Sequence, residues 1–429
     1  MTCINCFFSP EYQRNLKCKT LSIDRFENRL GKYKELFLEE LRKLVPVKKC
    51  NCTYSNELDL KDKALERYLN YTNNYLNFLI DNSTIIEEFF DLVIDTYYLY
   101  IKKSYKHATE QFWNFVNIYK LSNSLSNSIF NEILFFRGRY NDKSFDDCDP
   151  HQYFHIPFNE RYKVGNQRFS VSGQPMLYFG NSVYTVCKEL EKLPNELSIV
   201  AFIPTYNIID KINEINRPIF EACVNNLPGI YAAGSHGLDF NSKTALQQIR
   251  KSILCEVLTF PTKNKGTFVE EYVLPQAYTT LLIENGWKGI VFPSTKDFSD
   301  IMGAHKYCNF NYNFAIFTNY DSENNYDEDL FKKFIPLILK GPLEQLSLDN
   351  IRKYMSIIKE KNNKMHTNCV SYICNQNLQV EYMQKATINN IQYYNTEIGN
   401  IELNFFKKLF KFTLQYMNYE YNKKSQIKH

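Results

Sequence analysis

The run Gly165–Leu193, GNQRFSVSGQPMLYFGNSVYTVCKELEKL, constrains this chain more than any other stretch, because strand, turn and helix signals follow one another without a gap. Arg168–Val171 and Met176–Phe179 read as short strands, and Ser172-Gly173-Gln174-Pro175 between them is turn chemistry. Asn181 or Ser182 can cap a helix whose apolar stripe is Val183, Val186, Cys187 and Leu190, with Pro194 as its stop. Arg168, Tyr178 and Glu189 thus fall on the first strand, the second strand and the helix, and a unit of this kind can line a cleft. Periodicity alone assigns them no chemistry. At about 100° per residue Glu189 and Glu191 sit on opposite flanks of the stripe, Tyr178 reads as plain core, and Arg168 and Glu189 read equally well as a surface ion pair.

With 429 residues the chain has length enough for two or three domains and a sizeable core. A formal charge of +4 is too weak to argue for a nucleic-acid or membrane partner. The start, MTCINCFFSPEYQRNLKC, lacks the basic and apolar regions of a signal peptide. The most apolar window, Ile85–Ile101, is interrupted by Glu87, Glu88, Asp91 and Asp95, so no run reaches the roughly 18 apolar residues of a membrane span. The expectation is a cytoplasmic protein whose twelve cysteines are mostly reduced.

Those cysteines are scattered, except near the start. Cys3-x-x-Cys6 and Cys50-x-Cys52 flank a helical segment, and two close pairs can each deliver two thiolates to one tetrahedral zinc ion. Two readings stay open here, a structural zinc held by Cys3, Cys6, Cys50 and Cys52, or four unliganded thiols. Between the pairs, Ile23, Phe26, Leu30, Tyr33, Phe37, Leu41 and Leu44 recur at three and four, which predicts an amphipathic helix ended by Pro46. A second helix begins at the Thr84 and Glu87 capping-box pattern, and Phe112–Leu134 is a further helical stretch. Residues 1–132 therefore read as a helical N-terminal domain.

Phe135-Phe136-Arg137-Gly138-Arg139 opens a second domain, residues 133–320, and FHIPFNER at 154–161 leads into the central motif. Strand candidates are Ser198–Ile203, Ile253–Phe260, Gly289–Phe292 and Phe314–Phe317; Pro275 marks a helix start; Gly229–Asn241 is a loop able to act as a lid. Helices and strands do not alternate as βαβ units, so α+β is the expected class. The acidic run DSENNYDED reads as a linker, and residues 321–429 as an appended helical extension, with helical spacing in Phe331–Leu339, Leu348–Ile358 and Ile401–Met417. No repeat, Walker-type loop or GxGxxG is present.

The run NQRFSVSGQPMLYFGNSVYTVCKELE resembles the core motif of the RES-domain family, which has an Arg in a GxRFN-like strand, a Gly turn, an LY strand and a Glu one helix later. Downstream, EEYVLPQ at Glu270–Gln276 and GWKGIVFPST at Gly286–Thr295 resemble the family's later segment and supply its Ser as Ser294. Ser170 stands where RES sequences often have Asn, and the segment between the two blocks is long. The resemblance spans Phe135 to Phe317 and implies an ADP-ribosyltransferase-like catalytic domain acting on NAD, with a HEPN/RES-type helical leader. That leader's relatives include ribonucleases with an Arg-x(4–6)-His motif, but no Arg precedes His107 or any other histidine at that spacing, so the leader reads as a regulatory or docking module.

The resemblance implies that Arg168, Tyr178 and Glu189 are the active residues, with Ser294 completing the set. Cleavage of the nicotinamide–ribose bond passes through an oxocarbenium-like cation, which a carboxylate at Glu189 would stabilise. Arg168 offers a planar fork for the pyrophosphate, Tyr178 a ring face for nicotinamide, and Ser294 a hydroxyl to orient Arg168 or the ribose. Arg137 and Arg161 are the better candidates among the remaining arginines for a phosphate contact; His155 is either a structural histidine or a substrate contact. The expected function is an NAD glycohydrolase acting as a toxin or defence effector, held silent by an antitoxin or regulatory partner, with homo-oligomerisation left open. Protein ADP-ribosylation, NAD phosphorolysis and an inactive NAD-binding scaffold are the alternatives.

Overall fold

Short runs of β-branched and aromatic residues pair into one seven-stranded sheet in the computed structural model, which describes residues 1–52, 63–102, 104–124, 134–140, 148–204, 206–220, 223, 240–264, 266–302, 311–365, 383–384 and 386–426. The strands are β1 (Phe135–Tyr140), β2 (Met176–Gly180), β3 (Leu197–Pro204), β4 (Ile212–Glu214), β5 (Gly289–Pro293), β7 (Tyr312–Phe317) and β8 (Phe334–Ile338), in the order β4-β5-β7-β2-β1-β3-β8. Antiparallel registers include Tyr178 opposite Ala315, Gly180 opposite Asn313 and Phe292 opposite Asn313. A small sheet joins β6 (Ile301–Met302), β9 (Thr387–Ile388) and β10 (Ile391–Gln392). The chain is therefore α+β. No helix among the described residues is long and apolar enough to cross a membrane.

The chain divides into two units that interleave along the sequence. The first holds Met1–Asn123, Gly165–Ser172 and Glu214–Asn285; the second holds Ser124–Val164, Gly173–Asn213 and Gly286–His429. The span 133–320 is thus shared between them, and the chain passes from one to the other within the central motif, between Ser172 and Gly173.

The first unit is built of helices: α1 (Ile4–Phe7), α2 (Pro10–Cys18), α3 (Phe26–Arg42), α4 (Lys63–Asp81), α5 (Ser83–Ile101), α6 (Tyr105–Ile118), α8 (Ser242–Leu258) and α9 (Val273–Glu284). Edge-to-face ring pairs Phe7–Phe37, Phe26–Tyr97, Phe26–Phe260 and Tyr33–Phe90 fill its core. Buried charges cross it in satisfied sets. Glu256 on α8 accepts from Lys17 at 2.6 Å and Arg217 at 2.5 Å, and Arg29 pairs with Glu271. Burial alone would raise the Glu256 carboxyl, but the two cations hold it below its ordinary range. The stretch Ile253–Phe260, expected as a strand, is instead the last turns of α8 to Leu258 followed by its C-cap Thr259, because its apolar residues continue a helical stripe that begins at Ala245 and Ile249. Pro275 falls in the first turn of α9, where its missing N–H costs nothing.

In the second unit, strand alternation sorts side chains onto two faces. Phe135, Leu177, Phe179, Phe314 and Ile316 point to one core; Phe136, with Val183, Val186 and Cys187 of helix α7 (Val183–Leu190), points to the other. Helix α10 (Leu348–Met365) and helix α11 (Glu397–Gln426) supply Ile351, Met355, Leu403, Phe406 and Phe410 to that second core. The C-terminal region expected as an appended element thus shares the apolar layer that covers the sheet. Phe334–Ile338, expected as helical, is the edge strand β8 on β3; Pro336 there removes one donor, which an edge strand tolerates. The acidic run expected as a linker lies within this unit, tied down by Asp327, whose carboxylate accepts from the Asn319 and Leu330 N–H groups at 2.7 and 2.9 Å. The lid candidate 229–241 lies outside the described residues except for its last two positions.

Helix α7 lies on β1 and β2 at two glycines. A Cβ at Gly138 would stand 2.8 Å from Val186 Cγ1 and 3.0 Å from Leu190 Cδ1; one at Gly180 would stand 3.1 Å from Thr185 and Val186. We expect Gly138→Val to destabilise the protein by about 1–3 kcal/mol through overpacking, read from a denaturant melt against Gly165→Ala, a site with open space.

Candidate active site

Glu189 owes its place to the way α7 is started, stopped and clamped. Ser182 caps the helix, its hydroxyl accepting from the Thr185 N–H at 2.9 Å, while Asn181 ties the cap to β7 through Tyr312. At the other end Glu191 adopts the left-handed conformation, φ 55°, and Lys192 N–H reaches back to the Cys187 carbonyl at 3.1 Å. Asp300 grips one flank, accepting from Tyr184 Oη at 2.5 Å and pairing with Lys188 at 2.8 Å. Glu402 of α11 grips the N-terminus, where its Oε1 accepts the Val183 N–H at 2.5 Å and Tyr393 Oη at 2.8 Å.

So held, Glu189 turns toward the sheet. Its Oε1 accepts from Ser294 Oγ, just past β5, and from Asn313 Nδ2 on β7 at 2.5 Å. Ser294 is itself fixed, since its hydroxyl accepts the Lys296 N–H at 3.1 Å and its own N–H donates to the Asn311 carbonyl at 2.6 Å. Among the described residues Glu189 Oε2 accepts no hydrogen bond, and the side chain is half-buried. Glu191, indistinguishable from Glu189 by periodicity, is exposed and pairs with Lys296 at 2.5 Å. The fold separates two acids that the helical repeat could not.

Tyr178 on β2 shares the Glu189 face, because Leu177 and Phe179 on either side of it enter the opposite core. Arg137 belongs to that opposite face. It nevertheless reaches the Tyr178 carbonyl with Nη1 at 2.6 Å, where β1 and β2 diverge after the Phe136–Gly180 pair. Loss of hydration, with Arg139 nearby, lowers the basicity of Arg137, and its Nε has no partner among the described residues. His155 is fully buried on the same side, its Nδ1 against the Ile156 carbonyl at 2.7 Å and its Nε2 accepting the Asp327 N–H at 2.9 Å; burial pushes its pKa down to about 4. Both ring nitrogens are thus engaged in holding the loop before helix residue Glu328. Arg161 is exposed, 5.6 Å from the Tyr320 ring centre.

Arg168 falls in the first unit, while Tyr178, Glu189 and Ser294 fall in the second. The expected hairpin does not form: β2 pairs with β7 and β1, and Arg168-Phe169 make a tight turn closed by a single Gln167–Ser170 bridge. A short loop held by one bridge is enough here because α9 braces it. Gln276 Nε2 donates to Asn166 Oδ1, the Gln167 carbonyl and the Ser170 carbonyl at 2.6, 2.9 and 3.1 Å. The Arg168 guanidinium lies 5.0 Å from the Tyr272 ring centre and donates to the Leu258 carbonyl at 3.2 Å. Tyr272 and Gln276 thus explain two letters of the EEYVLPQ block, which sequence reading could only match as a pattern. Asn313 carried one legible signal, a lone amide inside the apolar strand YNFAIF.

The four cysteines of the N-terminal pairs meet. Their Sγ atoms all lie within 4.8 Å of one another, with Cys3–Cys6 and Cys3–Cys52 at 3.8 Å and Cys6–Cys50 at 3.9 Å. The hydrogen bond between Cys3 and Cys6 draws the Cys3 thiol down to about 5 and pushes Cys6 up, and burial takes Cys50 to about 11. Such a donor set fits a soft, tetrahedral cation.

Glu402 gives a measurable pH signature. Burial raises its pKa to about 7, and one of its oxygens has no partner among the described residues. An acid with a raised native pKa binds its proton more tightly folded than unfolded, so its contribution weakens as pH climbs from the ordinary glutamate range through 7. The stability of the wild type relative to Glu402→Gln should therefore fall by on the order of 3 kcal/mol between pH 4.5 and 8, measured by denaturant melts. Neither a family model, nor a curated protein, nor a solved structure matches the chain.

Proposed function

We propose that the chain is an NAD glycohydrolase of the RES type, with an ADP-ribosyltransferase-like catalytic unit that cleaves the nicotinamide–ribose bond. One observation carries this reading: Glu189 is fixed through Oε1 by Ser294 and Asn313, accepts nothing at Oε2 from the described residues, and shares a sheet face with Tyr178. A glycosidic cation needs a negative charge already oriented where positive charge develops, and a carboxylate held by two neutral donors meets that need without reorganising. In this reading Oε2 takes a ribose hydroxyl and Tyr178 supplies the ring for nicotinamide. The leaving nicotinamide departs neutral. Ser294 and Asn313 act as positioning residues. The motif resemblance assigns Arg168 to the pyrophosphate. An enzyme that drains NAD harms its own cell, so the reading extends to a cytoplasmic toxin or defence effector kept silent by an antitoxin or regulatory partner.

Purified protein with NAD should release nicotinamide and free ADP-ribose. A mass increment on a protein would instead mark ADP-ribosyl transfer, and a phosphorylated sugar product formed only with added phosphate would mark phosphorolysis. We expect Glu189→Gln to lose about 10³-fold or more in kcat/KM. Ser294→Ala and Asn313→Ala should lose about 10–100-fold, mainly in kcat, because the carboxylate is then free to drift. Glu191→Ala should be near wild type, and Arg168→Ala should act mainly on KM. Nicotinamide release by Glu189→Gln at the wild-type rate would remove the assignment.

A further inference from the structure

We propose that Cys3, Cys6, Cys50 and Cys52 hold one structural divalent metal ion of the zinc class, independently of the NAD chemistry. A tetrahedron with metal–sulfur bonds of about 2.3 Å has corners about 3.8 Å apart. Three of the six separations, 3.8, 3.8 and 3.9 Å, match that edge and all six stay within 4.8 Å, whereas a disulfide would bring two sulfurs to about 2.05 Å. The ligands come from two segments that the chain already brings together. Cys3 stands at the N-cap of the single turn α1 and Cys6 lies within it, and Cys50 and Cys52 follow the 3-10 turn Val47–Lys49. Val45 N–H donates to the Thr2 carbonyl at 3.0 Å, and Cys50 Sγ lies 3.3 Å from the Met1 carbonyl. Ile4, Phe7 and Val47, near the ligands in the chain, are buried, as are Cys3 and Cys50, while Cys6 and Cys52 are half-buried.

Thiols are weak hydrogen-bond donors, so four of them crowded together gain little from one another. As thiolates they repel, and a dication removes that repulsion. All four positions are filled by protein, which leaves no open coordination site and makes the role structural. The consequence reaches further into the first unit. Asn5, inside the Cys3-x-x-Cys6 turn, donates to Tyr68 Oη at 2.7 Å, and Tyr68 donates to the Cys223 carbonyl at 2.6 Å. Fixing the turn by metal therefore fixes a buried relay from the chain start through α4 to residue 223.

The test uses the full chain, purified without added chelator. Elemental analysis should give about one zinc per chain, and titration with a mercurial thiol reagent should release it into a colorimetric zinc indicator. Replacement by Co(II) should give the visible d–d bands and thiolate charge-transfer bands of a tetrahedral sulfur site. Cys6→Ser and Cys52→Ser should lose about 90% of the metal and melt at least about 10 °C lower, whereas Cys18→Ser, outside the cluster, should keep both. If the serine variants fail to fold, the mercurial release and Co(II) spectra of the wild type still decide. Folded wild type with no stoichiometric metal and four freely titrating thiols would overturn the proposal, as would stoichiometric iron in place of zinc.

Discussion

The second unit depends on how closely α7 approaches the sheet. At Gly138 and Gly180 the absence of a side chain lets Val186 and Leu190 settle directly on β1 and β2, and that contact sets the height of Glu189 above β7. At a larger residue the helix would ride out, and a carboxylate hydrogen bond tolerates only a few tenths of an ångström before it weakens. The Ser182 cap, the Asp300 flank and the Glu402 grip on the helix N-terminus then remove the freedom that packing leaves. Each of these partners comes from a different part of the chain, so the orientation of one side chain is a property of the whole unit.

This arrangement gives the C-terminal helices a part in the site. Glu402 is buried and poorly hydrated, an expensive group to place in a core unless its hydrogen bonds matter. It spends one oxygen on the Val183 N–H, where the helix dipole favours negative charge, and on the Tyr393 hydroxyl. The same helix α11 contributes Leu403, Phe406 and Phe410 to the core that α7 shares, so removing it would strip α7 of part of its packing. On the far face Arg137 and His155 are occupied with backbone groups, which suits residues that brace strands rather than meet a ligand.

The two motif blocks are each divided by the fold. Arg168 and the EEYVLPQ residues Tyr272 and Gln276 assemble in the first unit; Tyr178, Glu189 and Ser294 assemble in the second. The helical leader is likewise not a separate module, since Glu256 of α8, Phe260 just past it and Glu271 just before α9, all far along the chain, are buried against Lys17, Phe26 and Arg29 of its helices. Sequence distance is a poor guide here because buried ion pairs such as Lys17–Glu256 reward meeting regardless of how much chain lies between.

The sequence by itself determined the α+β class, the α7 helix with a cap at Asn181 or Ser182, most strands of the sheet, and the pairing of cysteines near the start, because capping, alternation and close spacing are local properties. It also marked Glu189 and Ser294, though only through resemblance. Tertiary structure alone decided that Glu189 rather than Glu191 meets Ser294, that Asn313 joins them, that Arg168 sits in a braced turn, that Ile253–Leu258 is helical and that Phe334–Ile338 is an edge strand. A helical repeat cannot tell which flank of a stripe will meet a sheet, and a short apolar run fits helix or strand equally until a neighbour offers either a ladder of backbone donors or a packed face.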